Sequence, residues 1–127
     1  MQKQITGEKY MKFIDERYDF DVMLFDDLIA KVRFIEGKAH ITKVCQNRLL
    51  QVFAMDNPGI NDIYMFLKSR CYEDGRGDLK EILEAINMES NNPWEWCKLT
   101  HGLSYGDYYW IRLKGENLKW EDVKLHD

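Results

Sequence analysis

The chain has 127 residues, of which 45% are hydrophobic and 13% aromatic, with only eight glycines and two prolines. A chain of this size and composition suits one globular domain and excludes disordered and fibrous classes. Its formal net charge of −4 argues against sequence-independent binding to phosphate backbones, which needs clustered Lys and Arg.

The first half of the chain predicts an antiparallel β-meander over residues 18–57, with a possible helical arm over residues 1–17 before it. The meander begins with a short apolar run at residues 22–25. Residues 28–35 then alternate in polarity, which is typical of a strand with one buried face. The apolar positions expected on that face are Ala30, Val32 and Phe34.

A tight turn is expected around Gly37, because glycine takes positive φ readily, and residues 39–45 would then form the partner strand. A further short strand is possible at residues 51–53. Residues 56–59 read Asp-Asn-Pro-Gly and are the strongest break in the chain, because proline lacks an amide donor and glycine relaxes the backbone. The sheet-forming half should therefore end near Asn57.

Three short helices are predicted after this break. The first covers residues 61–71 with its first residue, an asparagine, as N-cap, and the second covers residues 79–86 after a capping aspartate. The third begins at Asn92 and Pro93, since asparagine favours the cap and proline the first helical position. Gly102 is placed to end it.

A strand is predicted at residues 108–113, where aromatic and β-branched residues alternate, and it should return to the meander. Residues 118–123 would add one turn of helix or an irregular tail. The predicted fold class is therefore α+β: a small antiparallel sheet, made of the N-terminal meander and the C-terminal strand, packed against about three short helices. We predict a single domain over residues 1–127, in which residues 60–127 supply the helices, the C-terminal strand and the tail.

No apolar run is long enough to span a membrane, and the N-terminus lacks the apolar centre of a secretory signal. We therefore expect a cytoplasmic protein with no membrane contact. Cys45, Cys71 and Cys97 form an odd set without Cys-x-x-Cys spacing, so we expect reduced, buried thiols.

Residues able to support catalysis or metal binding are scattered along the chain. His40, His101 and His126 fall in different predicted segments without metal-ligand spacing, and no serine or cysteine lies in a nucleophile motif. No glycine loop is suited to phosphate. We predict no enzyme activity, no cofactor and no metal site. A small enzyme stays open as an alternative if His101, an acid and a thiol or hydroxyl meet within hydrogen-bond reach.

An aromatic block over residues 101–110 is the most informative feature of the second half. In the predicted strand that it leads into, Tyr108 and Trp110 share one face while Tyr109 and Ile111 share the other. Either all these rings lie in the core or at its edge, or some of them are exposed beside acids and form a protein-binding patch. Without interleaved Lys and Arg, they do not form a stacking platform for nucleic acid.

Six segments carry a resemblance to a known family: Phe66–Cys71, Leu79–Leu83, Asn92-Pro93, Thr100–Gly102, Asp107–Arg112 and Leu118–Val123. Together they resemble a family of small proteins of Firmicutes and their mobile elements. The ending is also similar to the segment that precedes the kinase-like domain of HipA-type toxin proteins. The likeness covers about residues 60–127 and does not include an ATP-binding domain, so it implies no kinase activity. It implies a part of a toxin–antitoxin, defence or counter-defence module that occupies a partner.

The expected function is that of a non-catalytic protein-binding module, either antitoxin-like or a phage-type inhibitor of a nuclease such as a CRISPR effector. The expected partner is another protein with a basic face, which acids on this chain would attract. The expected partner-binding residues are Asp107, Tyr108, Glu116, Trp120, Glu121 and Asp122. Direct nucleic-acid binding is disfavoured, because the sequence shows no basic face; a nucleic-acid-binding regulator and a small enzyme are the alternatives. The oligomeric state stays open.

Overall fold

The protein has an α+β architecture, seen in a computed structural model that describes residues 18–71, 77–87 and 92–125. Its four strands are β1 (Phe20–Leu24), β2 (Asp27–Ile35), β3 (Lys38–Lys43) and β4 (Tyr109–Leu113). They form one antiparallel sheet in the order β3-β2-β1-β4. The predicted fold class, a meander completed by a returning C-terminal strand and packed against short helices, is confirmed.

Four short helices accompany the sheet in the described part of the chain: α1 (Ile60–Ser69), α2 (Leu79–Ala85), α3 (Pro93–Thr100) and α4 (Trp120–Val123). The first three match the predicted helices, and α4 matches the predicted turn near the C-terminus. The possible strand at residues 51–53 is wrong. A single 3-10 turn at Arg48–Leu50 precedes it, and Gln51 reaches the sheet through its side chain, whose Nε2 donates to the carbonyls of Ile29 and Cys45 at 2.8 Å.

The alternation of side chains sets the register of the sheet. Val22 of β1 lies between Ala30 of β2 and Ile111 of β4, and all three residues are fully buried. A slip of one residue would turn this row toward the opposite face and expose it, so burial fixes the pairing. The predicted buried face of β2 is confirmed, since Val32 and Phe34 are buried together with Ala30.

The main core lies between this face of the sheet and helices α1 and α3. Helix α1 contributes Ile63 and Leu67, and α3 contributes Trp94 and Cys97. Tyr18 packs against Trp94 with 4.0 Å between ring centroids. The helical spacing of apolar residues predicted for residues 61–71 therefore marks the side of α1 that faces the sheet.

A second, smaller cluster lies on the opposite face of the sheet, at its β1–β4 end; we term it the aromatic cluster. Its buried members are Met23, Trp110 and Trp120. The indole N–H of Trp110 donates to the carbonyl of Phe25 at 2.7 Å, and the backbone N–H of Trp120 donates to the carboxylate of Asp26 at 2.8 Å. β4 is therefore covered on one face at Ile111 and on the other at Trp110, and all four tryptophans of the chain are buried.

Local sequence explains where the helices begin. Asn92 caps α3 as predicted, and its side-chain oxygen accepts two backbone N–H groups of the first turn at 3.0 and 3.2 Å. The prediction that Asn61 caps α1 is wrong. Gly59 is the N-cap, and the carboxylate of Asp62 accepts the Gly59 N–H at 2.7 Å, which satisfies a donor that the helix leaves free. Asp78 precedes α2 as predicted, but its side chain makes no capping hydrogen bond.

The possible helical arm at residues 1–17 and His126 lie outside the described residues. Among the helices that are described, none combines the length and apolar character that crossing a bilayer requires. The three cysteines are free thiols, of which Cys97 is buried and Cys45 and Cys71 are half-buried.

Candidate functional site

An open groove of about 820 Å³ lies between the C-terminal ends of α1 and α3 and the segment that contains α4; we term it the α3–α4 groove. Its apolar lining residues are Trp96, Leu99, Leu103, Tyr105, Leu118, Val123 and Leu125. This volume falls in the range of about 300–1,000 Å³ that is usual for binding sites.

Large apolar side chains on this groove face solvent. Leu99 is 59% exposed, Tyr105 is 76% exposed and Leu125 is 43% exposed. Trp96, one helical turn before Leu99, is buried beside them. Exposed apolar groups that gather around one groove are typical of a surface that another molecule covers.

Arg70, just after α1, ties the loop before β4 to that helix. Its guanidinium donates to both carboxylate oxygens of Asp107 at 2.8 Å, and its Nε–H donates to the carbonyl of Gly102 at 2.8 Å. The Arg70 side chain is only 9% exposed. A bidentate pair of this kind has a fixed geometry, so Arg70 gives the groove a rigid lining.

A histidine–carboxylate pair borders the same groove. The Nε2 atom of His101 lies 3.0 Å from Oε2 of Glu116, whose Oε1 accepts the backbone N–H of Leu113 at 2.8 Å. Glu116 therefore joins the end of α3 to the end of β4. The backbone N–H of Ile111 donates to the carbonyl of His101 at 2.7 Å, which strengthens the same junction.

Hydroxyl and thiol groups also line the groove, but they bond to nearby backbone groups. The hydroxyl of Ser69 donates to the Phe66 carbonyl at 2.6 Å, that of Thr100 donates to the Trp96 carbonyl at 3.0 Å, and that of Ser104 accepts the Gly106 N–H at 3.1 Å. Among the described residues, none brings a hydroxyl or thiol into a hydrogen bond with His101. Within the described residues, His101 and an acid are thus together, and the enzyme alternative stays a prediction.

Two groups near the groove have shifted pKa values. Burial raises the pKa of Cys97 to about 12, with a smaller contribution from Cys71. Burial also raises the pKa of Tyr109, and the neighbouring Asp107 carboxylate adds to that rise. Tyr109 donates its hydroxyl to the Leu50 carbonyl at 2.8 Å. Both groups therefore favour their neutral, protonated forms, which suits structural roles rather than nucleophilic ones.

The two predicted aromatic site residues, Tyr108 and Trp120, lie together in the aromatic cluster and not in the groove. Tyr108 stacks on Phe25 with 4.6 Å between ring centroids, and Trp120 meets Tyr108 edge-on at 5.8 Å. Trp120 is only 7% exposed. Most of the Trp120 surface is thus used in packing against the sheet.

The four predicted acidic site residues all have partners within the chain. Asp107 binds Arg70, and Glu116 contacts His101, as described above. The carboxylate of Asp122 accepts the backbone N–H of Lys119 at 2.8 Å, and Glu121 lies 3.2 Å from the ammonium of Lys124. Of the six predicted residues, Asp122 alone lines the groove. Whether these six residues bind a partner stays a prediction.

The sequence did not reveal Leu99, Tyr105 and Leu125 as the exposed apolar residues. Helix α3 has five apolar residues among its eight, from Pro93 to Leu99, which is more than one side of a short helix can bury. That excess was the available signal. Which apolar residue stays outside depends on how α3 lies on the sheet, and this is set by residues far away in sequence.

Groups of three or more His, Cys, Asp or Glu side chains that could hold a metal ion are absent from the residues described. Comparison of the chain with protein-family models, curated proteins and solved structures gave no match. The resemblance carried by residues 60–127 therefore stays a prediction, and function is inferred from the geometry of the site.

Proposed function

We propose that the chain is a non-catalytic protein-binding module whose α3–α4 groove takes an apolar segment of a partner protein. The observation that carries this proposal is the exposure of Leu99, Tyr105 and Leu125 around one groove. A partner that covers these side chains gains about 25 cal/mol for each Å² of apolar surface removed from water.

The groove is suited to binding because its lining is held in place before a partner arrives. The Arg70–Asp107 and His101–Glu116 pairs fix the loop and the helix end that border it. A preformed site loses little conformational entropy on binding, so more of the contact energy contributes to affinity. Tyr105 adds a large ring with a polar tip, a type of residue that is enriched at protein interfaces.

The charges around the groove indicate which charge a partner segment should carry. Glu121 has a side chain that is 76% exposed, and Asp122 lies on the groove lining itself. These carboxylates favour a partner segment in which Lys or Arg flanks an apolar anchor. Exposed charges of this kind raise the association rate more than they raise affinity.

Selection from a random peptide library on the immobilised protein tests this function. Enriched peptides should share a large apolar residue flanked by Lys or Arg. Leu99→Asp should weaken their binding at least about tenfold, because it sets a carboxylate against the apolar anchor. Leu49→Asp is the matched control, since Leu49 is 91% exposed and lies outside the groove. It should leave the affinity unchanged.

Two results would count against the proposed function. One is enrichment of peptides that have no apolar anchor, and the other is an equal loss of affinity in both variants. Thermal unfolding of the two variants separates a loss of binding from a loss of fold, because both substitutions are at exposed positions.

The finer assignment, an antitoxin-like subunit or a phage-type nuclease inhibitor in the cytoplasm, is supported by the resemblance of residues 60–127. It predicts that co-expression protects cells from a toxin or blocks a CRISPR nuclease. Leu99→Asp should abolish that protection, whereas Leu49→Asp should keep it. Equal protection by both variants would show that the inhibitory activity does not use the groove.

A further inference from the structure

The face of the sheet opposite the main core carries a group of cations. Strand pairing places Arg112 of β4, Asp21 of β1 and Lys31 of β2 side by side. Strand alternation puts Arg33 of β2 and Lys38 of β3 on the same face. We term the four cations Lys31, Arg33, Lys38 and Arg112 the sheet-face patch.

The sheet-face patch is positive although the chain carries a net charge of −4. Within the four described strands, Asp21 is the one carboxylate on this face. Asp19, just before β1, is matched by Lys114 at 3.4 Å. Within the strands the patch therefore presents four cations against one acid, while Glu36 is exposed in the adjoining turn between β2 and β3.

Asp21 holds two of these cations in fixed positions. Its carboxylate lies 2.9 Å from the guanidinium of Arg33 and 3.1 Å from that of Arg112. Arg112 uses Nε and one terminal nitrogen for this contact, so its other N–H donors remain for a ligand. Lys31 and Lys38 are exposed and make no ion pair with any described residue.

No described helix covers this part of the sheet. Helices α1 and α3 pack on the other face, and α4 packs on the aromatic cluster at the β1–β4 end. His40 and Thr42 of β3 are exposed beside the cations. Among the described residues, the patch is thus exposed at Lys31 and Lys38, and the side chains of Arg33 and Arg112 are 31% and 26% exposed.

We infer that the sheet-face patch binds the phosphate backbone of duplex nucleic acid without reading its sequence. From β4 to β3 the patch crosses three strand spacings, about 14 Å, which is close to the width of about 12 Å of the DNA major groove. Cations at its two edges can therefore meet phosphates on both sides of that groove.

The surroundings of the patch favour a duplex over a single strand. Binding of single strands relies on aromatic rings on which unpaired bases stack. On this face of the sheet the large rings are packed together in the aromatic cluster, and the positions between the cations hold His40 and Thr42. Guanidinium and ammonium groups bind phosphate oxygens without any need for rings, which suits the backbone of a duplex. The patch shares no residue with the α3–α4 groove, so this inference does not depend on the proposed function.

Fluorescence anisotropy with a labelled, random-sequence DNA duplex at low salt tests the inference. The logarithm of the binding constant should fall with the logarithm of salt concentration with a slope of about −3 to −4, as expected for four phosphate contacts. Lys31→Glu combined with Lys38→Glu should weaken binding at least about tenfold and make the slope shallower by about 2.

The matched control is Lys80→Glu combined with Lys119→Glu. Both residues are exposed and lie outside the four strands, and this variant changes the net charge by the same amount. It should bind the duplex within about twofold of the unchanged protein, because neither substituted charge belongs to the patch and exposed charges outside it are screened by salt. Thermal unfolding tests whether both double variants keep the fold.

Four outcomes would overturn the inference. They are no duplex binding at low salt, an equal loss in both double variants, tighter binding to single-stranded than to duplex DNA, and binding to labelled polyglutamate without binding to DNA. The last outcome would assign the patch to an acidic protein partner instead.

Discussion

Two successive residues at the end of α3 show how a local backbone requirement shapes the site. His101 and Gly102 both have left-handed backbone, with φ of 57° and 62°. The sequence predicts that Gly102 ends the helix, but His101 takes the left-handed conformation one residue earlier. The contact of His101 with Glu116 helps to hold a conformation that costs a non-glycine residue about 1–2 kcal/mol. At Gly102 a Cβ would lie 2.9 Å from Cδ1 of Ile111, so a side chain there would be strained by the left-handed backbone and would force the buried Ile111 to shift.

Gly102→Ala should therefore lower the free energy of unfolding by about 2–4 kcal/mol, because backbone strain adds to overpacking against β4. Gly115→Ala is the control, since Gly115 has a φ of 90° with nothing within 4 Å of an added Cβ. It should lower the free energy by about 1 kcal/mol through backbone strain alone. Urea unfolding measures both. Equal losses would show that the approach of Ile111 has no energetic weight.

The buried Cys97 thiol should make the folded protein less stable at alkaline pH. Burial raises its pKa from 9.0 to about 12, so above pH 9 the unfolded chain releases a proton that the native chain keeps. The free energy of unfolding should then fall with pH by up to about 1.4 kcal/mol per pH unit from this group. Cys97→Ala should be less stable at neutral pH but should lose this part of the slope. Urea unfolding between pH 8 and about 10 is the measurement, and identical slopes in both proteins would contradict the assignment.

At the scale of elements, the Arg70–Asp107 pair joins α1 to the loop before β4. Asp107→Ala should lower the free energy of unfolding by about 2–4 kcal/mol, because it leaves the guanidinium of Arg70 largely buried without its partner. Glu121→Ala removes an exposed acid from a surface pair and should change the free energy by less than about 0.5 kcal/mol. Chemical denaturation of the two variants separates a structural acid from one that is available to a partner.

The packing of α4 on the sheet depends on Trp120. Trp120→Ala should lower the free energy of unfolding by about 3–5 kcal/mol, since a buried ring is lost from the aromatic cluster. Tyr105→Ala truncates a ring that is 76% exposed and should cost less than about 1 kcal/mol. Peptide binding should show the reverse order, with the larger loss in Tyr105→Ala. A Trp120→Ala protein as stable as Tyr105→Ala would refute the packing of α4 described above.

The strands could be predicted from sequence because their pattern is local. Residues 28–35 alternate with period two, and Ala30, Val32 and Phe34 are buried as that period requires. The cap of α1 was missed because it is made by a residue inside the helix. The carboxylate of Asp62 accepts the backbone N–H of Gly59, whereas the predicted cap was an asparagine side chain at the start of the helix. The strand predicted at residues 51–53 does not form, because Gln51 bonds to the sheet through its side chain and not through its backbone.

The candidate site could be predicted only in part. Acids and aromatic residues near the C-terminus were visible, yet Asp107 and Trp120 proved to be held by Arg70 and by the aromatic cluster, respectively. Those partners lie far away along the chain, and sequence periodicity does not reveal such contacts. The exposure of Leu99 likewise follows from the placement of α3 and not from α3 itself.

For the whole molecule, net charge proved a poor guide to the surface. A charge of −4 disfavours nucleic acid as a partner, but folding separates the charges in space. The sheet brings Lys31, Lys38 and Arg112 together from three strands, while Glu121 and Asp122 lie near the groove. The fold thus offers two surfaces with different chemistry, an apolar groove with acids at its edge and an open cationic face.

The most direct test of the central claim, that the α3–α4 groove binds a protein segment, is a map of amide chemical shifts during titration with a selected peptide. The largest changes should fall at Leu99, Tyr105, Leu125 and their neighbours, with Lys31 and Thr42 unchanged. The largest changes on the sheet face, or around the aromatic cluster, would contradict the claim.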